Sequence, residues 1–195
     1  MKNLYCIRHG LSEHNLNYFK YGVSTFYDPK YTDTSLVSEG YKQVQELRNT
    51  WKELSTIELV IVSPLRRTLQ TASELFRGYN IPILVLEGVR EYPMGKQTCN
   101  KRSNKDVLIK NYPQMNFDNL QTNSDELWLP HREETLEELN YRILNFIKFI
   151  KSRPETNIAL VNHSSFIGQM KDNKIKYMEN GHQELKHCYP YLMKL

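Results

Sequence analysis

Leu4-Tyr5-Cys6-Ile7-Arg8-His9-Gly10 is the stretch on which the fold turns. Four apolar residues closed by a turn carry the pattern of a buried strand. Arg8 and His9 stand where that strand stops. Gly10 permits a tight turn, or a close backbone approach that a side chain would block. In open α/β sheets ligands gather at the carboxyl ends of strands, so chemistry is expected here.

Outward from this stretch the pattern recurs. Glu58 to Val62, Ile81 to Leu86 and Asn157 to Val161 read as three further strands, with Pro82 marking a strand start or an edge. Tyr41, Val44, Leu47, Trp51 and Leu54 recur at spacings of three and four, which predicts a helix from Ser38 to about Leu54. Ser63 as N-cap and Pro64 at the first helical position predict a helix that carries Arg66 to Ala72 and ends near Gly78. Thr135 and Glu138 form a capping box. In the helix they open, Leu136, Leu139, Ile143, Phe146, Ile147 and Ile150 make an apolar face, and Pro154 stops it. Ser12 reads as the N-cap of a short helix, Tyr18 to Thr34 as a loop, and Phe166 to Met170 as the start of another helix. Asn180-Gly181 reads as a turn and Tyr189 to Leu195 as a final strand. Strands alternating with helices imply a three-layer α/β/α sandwich around a mostly parallel sheet.

The 195 residues suit a single domain over 1–195, elaborated by an insertion at about 95–132. That insertion is irregular and mixed in charge. It reads either as a lid or binding loop or as surface elaboration. No apolar run is long enough to span a bilayer, and Met1-Lys2-Asn3 leads into a strand with no secretory pattern. Three cysteines, Cys6, Cys99 and Cys188, are odd in number and far apart, which points to a reducing, cytoplasmic setting. A net charge of +4 suits anionic ligands and is too weak to imply a nucleic-acid partner. Neither a nucleic-acid nor a membrane partner is expected, and nothing in the pattern bears on oligomeric state.

Four polar groups fall at or just after strand ends: Arg8-His9, Arg67, Glu91 and His163. Several strand ends bringing Arg, His and Glu to one edge is the composition of a phosphoryl-binding site. Other phosphate chemistries fail on spacing. A cysteine phosphatase needs Cys and Arg six positions apart, and Ser12, Lys105 and Lys194 stand there instead. There is no G-x-x-x-x-G-K and no G-x-G-x-x-G. His182, His187 and Cys188 match no common zinc spacing, so no metal is expected.

Leu4 to Asn15 resembles the first motif of the histidine phosphatase, or phosphoglycerate mutase-like, superfamily. Val62 to Ala72 resembles its second motif, Arg90-Glu91 its third and Val161 to Ser164 its fourth, in the family's order. The region from Cys99 to Arg132 further resembles a branch found in plants and fungi. The resemblance implies a phosphate-binding Arg8, a nucleophilic His9 and a phosphate-binding Arg67. It makes Glu91 the proton donor, His163 the second pocket histidine, and Asn15 and Ser164 phosphate neighbours. Arg66 then takes a variable position. The activity implied is metal-independent hydrolysis of a small phosphorylated substrate through phospho-His9, without cofactor. The alternatives are a phosphoglycerate mutase and a non-catalytic phospho-ligand-binding module. Glu91 is followed by Tyr-Pro-Met-Gly-Lys, which does not resemble the glycine-rich stretch of the family's mutases. Lys96, Lys101, Arg102 and Lys105 could hold a second anionic group of the substrate, or form a solvated face. His131-Arg132 could line the substrate's rim or lead into the helix. His14 reads as a surface residue or a mild pocket neighbour.

Overall fold

The computed structural model describes residues 1–174 and 185–195. Strand β1 (Asn3–Arg8) lies inside a five-stranded sheet with β2 (Leu59–Val62), β3 (Ile83–Val85), β4 (Asn157–Asn162) and β5 (Pro190–Lys194). The order is β3-β2-β4-β1-β5. All neighbouring pairs are parallel except β5, which runs antiparallel to β1. The helices are α1 (Glu13–Tyr21), α2 (Ser38–Thr50), α3 (Arg66–Leu75), α4 (Lys105–Asn111), α5 (Leu136–Ser152) and α6 (Ser164–Asp172).

The middles of β1, β2 and β4 are apolar and buried because both faces of the sheet are covered there. Alternate side chains point to opposite faces. Tyr5, Ile7, Val60, Val62, Ala159 and Val161 enter one core, which α2 and α3 close with Val44, Leu47, Leu69, Ala72 and Leu75. Leu4, Cys6, Leu59, Ile61, Ile158 and Leu160 enter the other, closed from α5 and α6 by Leu139, Ile143, Phe146, Ile150, Phe166 and Ile167. Each fully buried side chain of this size contributes roughly 1.5–3 kcal/mol relative to exposure. The capping box of Thr135 and Glu138 is present at the start of α5.

Several boundaries differ from the sequence reading. Helix α2 ends at Thr50, where Trp51 turns extended, and Trp51 and Leu54 complete the apolar stripe from a following turn. Helix α3 begins at Arg66 rather than at Pro64. The Ser63 hydroxyl is drawn to His163 Nε2 at 2.8 Å, and a distant residue serves the helix start instead: Asp33 Oδ1 accepts from the Arg66 amide at 2.7 Å. Tyr18 to Thr34 is not one loop, because α1 continues to Tyr21 and two 3₁₀ turns follow, Gly22–Phe26 and Pro29–Tyr31. Ser12 holds the N-cap position of α1, but its hydroxyl donates to Asn15 Oδ1 at 2.7 Å instead of capping. The Asn180-Gly181 turn lies outside the described residues.

The insertion is an anchored wall. Leu108, Met115, Phe117 and Leu120 are buried in the first core. Asn116 bridges to the exposed edge of β3, its amide on the Ile83 carbonyl and its carbonyl on the Val85 amide, which shields that edge. Arg90 makes a bidentate pair with Asp125 at 2.7 and 2.6 Å, both side chains fully buried.

One contact fixes where α2 meets the first loop. A Cβ at Gly40, in the first turn of α2, would stand 2.2 Å from the Leu11 carbonyl oxygen; one at Gly10 would stand 2.7 Å from the Gly40 oxygen. The helix backbone therefore rests directly on the loop that follows His9, an approach open to glycine alone.

Candidate active site

The carboxyl edge of the sheet gathers the predicted residues. Arg8 ends β1 and His9 follows it, His163 follows β4, Arg67 lies in the first turn of α3 after β2, and Glu91 comes after β3. Arg8, His9, Arg67 and His163 are each no more than 2% exposed.

His9 Nδ1 lies 2.7 Å from the Gly10 carbonyl oxygen. A carbonyl accepts and cannot donate, so the proton sits on Nδ1 and Nε2 keeps its lone pair. Arg67 Nε donates to that Nε2 at 3.2 Å. The rest of the Arg67 fork is held by the insertion: Nη1 donates to the Cys99 carbonyl at 2.7 Å and Nη2 to Asn100 Oδ1 at 3.0 Å. Arg8 Nη1 donates to the Leu185 carbonyl at 2.7 Å. Burial, and then the Arg67 guanidinium, hold His9 and His163 well below the ordinary histidine range. Both rings are therefore neutral, 5.2 Å apart between centroids. His163 Nδ1 is buried and has no hydrogen-bond partner among the described residues.

Glu91 stands at the amino end of α6. Its carboxylate accepts from the Tyr92 amide at 2.8 Å, and more distantly from the Ser164 hydroxyl at 3.4 Å and the Ser165 and Phe166 amides at 3.5 and 3.4 Å. Burial raises its pKa above the ordinary carboxyl range, against the opposing pull of the Tyr92 amide, Arg67 and Arg8. Ser164 thus meets Glu91. Asn15 is buried, with Oδ1 taken by Ser12, which leaves its Nδ2 to donate.

Arg102 is a correction to the sequence reading. It does not face a substrate: Nε pairs with Glu87 at 2.6 Å and its Nη groups donate to the carbonyls of Ser103, Thr122, Asn123 and Ser124. With five donors committed inside the wall, it organises the insertion. Lys105 likewise donates to the Leu120 carbonyl, and Lys101 lies over the Trp128 ring. Arg132 pairs with Glu138 at the start of α5.

Two histidines belong to this edge that the sequence did not single out as site residues. His14 is buried, its ring centroid 6.4 Å from that of His9, with Nδ1 against Thr34 Oγ1 at 2.6 Å and Ser12 Oγ at 3.1 Å. His187 has its ring centroid 5.5 Å from His9, and its Nδ1 meets the His9 carbonyl oxygen at 2.5 Å. Burial and then Arg8 push the His187 pKa down to about 3. The signal available for His14 was its place five residues after His9; for His187 there was none. His182 lies outside the described residues. Among the described residues no group of three His, Cys, Asp or Glu side chains is arranged to hold a metal ion, and no helix is long and apolar enough to cross a membrane. All three cysteines are buried and unpaired as disulfides.

The chain is similar to known proteins. A family model described as "Histidine phosphatase superfamily (branch 1)" matches residues 4–187. A "Phosphoglycerate mutase-like protein" of Arabidopsis thaliana is 32% identical over 197 aligned positions, which cover 85% of this chain and 72% of the relative. Among solved structures, YhfR of Bacillus stearothermophilus superposes with a TM-score of 0.66 at 20% identity, covering 100% of this chain and 92% of that one. The alpha-ribazole phosphatase of Shigella flexneri superposes with a TM-score of 0.63 at 20% identity, covering 95% of this chain and 87% of that one. At such identities the structures speak for the fold.

Proposed function

The chain belongs to the histidine phosphatase superfamily, a setting of phosphatase- or mutase-type phosphoryl transfer, and on that premise we propose that it is a metal-independent phosphomonoester hydrolase working through phospho-His9. The observation that carries the proposal is the state of the His9 ring. Its Nδ1 proton is tied to the Gly10 carbonyl and its Nε2 lone pair faces the Arg67 fork.

The charge in transit on a phosphoryl group sits on its equatorial oxygens, and preorganised donors aimed at that charge lower the barrier. Arg8 and Arg67 bring planar forks that a lysine would not match. His163, with Nε2 accepting from the Ser63 hydroxyl, has an Nδ1–H to donate to a further oxygen, and Asn15 Nδ2 serves another. His9 Nε2 attacks phosphorus while the bond to the ester oxygen breaks, and Glu91 gives that oxygen its proton. The Glu91 carboxylate then takes a proton from water as water attacks the phosphohistidine, the P–N bond breaks, and phosphate leaves with both residues restored. A carboxyl whose pKa burial raises suits the two proton transfers.

Hydrolysis is favoured over mutase action by the fate of the insertion's basic residues. A mutase must hold a second anionic group, and Arg102 and Lys105 are bound inside the wall while Lys101 lies on Trp128.

The test is hydrolysis of 4-nitrophenyl phosphate, with a rapid-quench search for an acid-labile phosphoryl label on the protein. Wild type should turn over and label, and His9→Ala should do neither. Equal rates for the two would remove His9 as nucleophile. Isomerisation of 3-phosphoglycerate, primed with a trace of bisphosphoglycerate and much faster than phosphate release, would replace hydrolase by mutase.

A further inference from the structure

We propose that His187 is a positioning residue for the reaction: it sets the ring of His9 by holding the His9 carbonyl from behind. The inference rests on the reading of His9 as nucleophile.

Gly10 is the pliable point in the backbone behind His9. It has no side chain to restrict it, so the two peptide units that flank it are free to rotate unless hydrogen bonds stop them. All four of their polar groups are held. In the first unit, the His9 carbonyl accepts from His187 Nδ1 at 2.5 Å and the Gly10 amide donates to Thr71 Oγ1 at 3.0 Å. In the second, the Gly10 carbonyl accepts from His9 Nδ1 at 2.7 Å and the Leu11 amide donates to Gln43 Oε1 at 2.9 Å. The orientation of the nucleophile's ring is therefore set by the Gly10 carbonyl, whose unit is held by Gln43 at its far end and joined through the Gly10 Cα to the unit before it. His187 is the side chain that pins the carbonyl end of that earlier unit. Without it the unit pivots on Thr71, the Gly10 oxygen moves, and the His9 ring moves with it.

His187 is itself firmly seated. The neighbouring Cys188 amide donates to the Arg8 carbonyl at 2.9 Å, and Arg8 reaches back to the Leu185 carbonyl at 2.7 Å. Cys188 holds a left-handed backbone, φ 50°, rare for a residue with a side chain and kept where surrounding bonds over-determine it. His187 also lines a surface cavity of about 470 Å³ with Gln43, Trp51, Lys186 and Cys188. Removing the imidazole would join that cavity to the space beside the His9 carbonyl, where a small heterocycle could take its place.

The experiment uses the whole chain and 4-nitrophenyl phosphate. His187→Ala and His187→Leu should lower kcat by about 10- to 100-fold, the range that a ~1 Å misplacement of a reacting group commands. KM should change little, because Arg67 and His163 stay in place. His187→Asn, whose Nδ2 occupies the same position along the side chain as Nδ1, should recover at least half of the rate. Added imidazole should restore His187→Ala; 1-methylimidazole, of similar shape but without an N–H, should not. If His187→Leu runs at the wild-type rate, the proposal is overturned. So is it if His187→Asn does no better than His187→Leu, or if both heterocycles rescue alike. Should His187→Ala fail to fold, the Asn and Leu pair decides alone. Equal activity of wild type and His9→Ala would strike at the phosphohistidine reading itself, a result separate from any in the His187 series.

Discussion

Gly40→Ala places the smallest possible side chain well away from any reacting atom, yet the structure predicts a severe effect. The new Cβ would stand 2.2 Å from the Leu11 oxygen, 2.9 Å from its nitrogen and 3.1 Å from its carbonyl carbon. Ordinary contact begins near 3.4 Å, so the two backbones must part by about 1.2 Å. Neither is a flexible side chain that can swing aside. Helix α2 is tied down by Val44 and Leu47 in the core, so the loop behind His9 is the part that gives. Overpacking of this kind costs about 1–3 kcal/mol, which for a chain of this size lowers Tm by about 2–12 °C at ~2–4 °C per kcal/mol. The same displacement of the His9 loop should lower kcat by about 10²-fold. Steady-state kinetics on an aryl phosphate and a thermal melt read both. A variant that melts with wild type and keeps kcat within a few-fold would refute the idea that this backbone contact positions His9.

Three further outcomes follow from the same geometry. Glu91→Gln should slow esters with poor leaving groups by about 10²–10⁴-fold and 4-nitrophenyl phosphate far less. On the proposed mechanism, wild-type activity requires neutral His9 and protonated Glu91. The lowered His9 pKa places the acid limb well below pH 6.5, and the raised Glu91 pKa moves the alkaline limb up from 4.5; that limb should vanish in Glu91→Gln. Arg67→Lys should cost about 10²–10³ in kcat through loss of the fixed fork, measured beside an unchanged circular dichroism spectrum; a ten-fold loss or less would mean that one point charge suffices. Asp125→Ala leaves the buried Arg90 with Glu87, at 3.3 Å, as its acidic partner and should destabilise by about 3 kcal/mol in urea unfolding, whereas an Arg90→Met/Asp125→Leu double variant should recover much of that. Equal losses would show that the pair's charge is not what matters.

The sheet and its edge were legible because β1, β2 and β4 are built on continuous apolar runs, and because the polar candidates fall where such runs close. Position alone put Arg8-His9, Arg67, Glu91 and His163 at this edge, and the resemblance told Arg67 from Arg66. Long-range polar contacts were not legible. Ser63 and Pro64 look like a helix start, but the pocket histidine takes the Ser63 hydroxyl and Asp33, 33 residues upstream of Arg66, takes over at α3. Arg102 sits in a basic run that reads as solvated or substrate-facing. Its burial depends on carbonyls of Thr122 to Ser124, about 20 residues on, and no local periodicity announces a guanidinium facing inward. His187 escaped for the same reason: its partner is a backbone carbonyl 178 residues away, which leaves no mark in its neighbourhood.

The central place of β1 has a consequence in time. Its two neighbours in the sheet are β4 and β5, and every β1–β4 pair joins residues separated by about 150 positions. A ribosome adding about 5–20 residues each second releases His9 many seconds before the strands that seat it. Until residues 157–162 and 190–194 emerge, Arg8 and His9 have no edge to stand on, and Arg67, Glu91 and His163 cannot meet around them. On the proposed mechanism the nascent chain is therefore inert toward phosphoesters until both strands have emerged, and activity should switch on together with completion of the sheet.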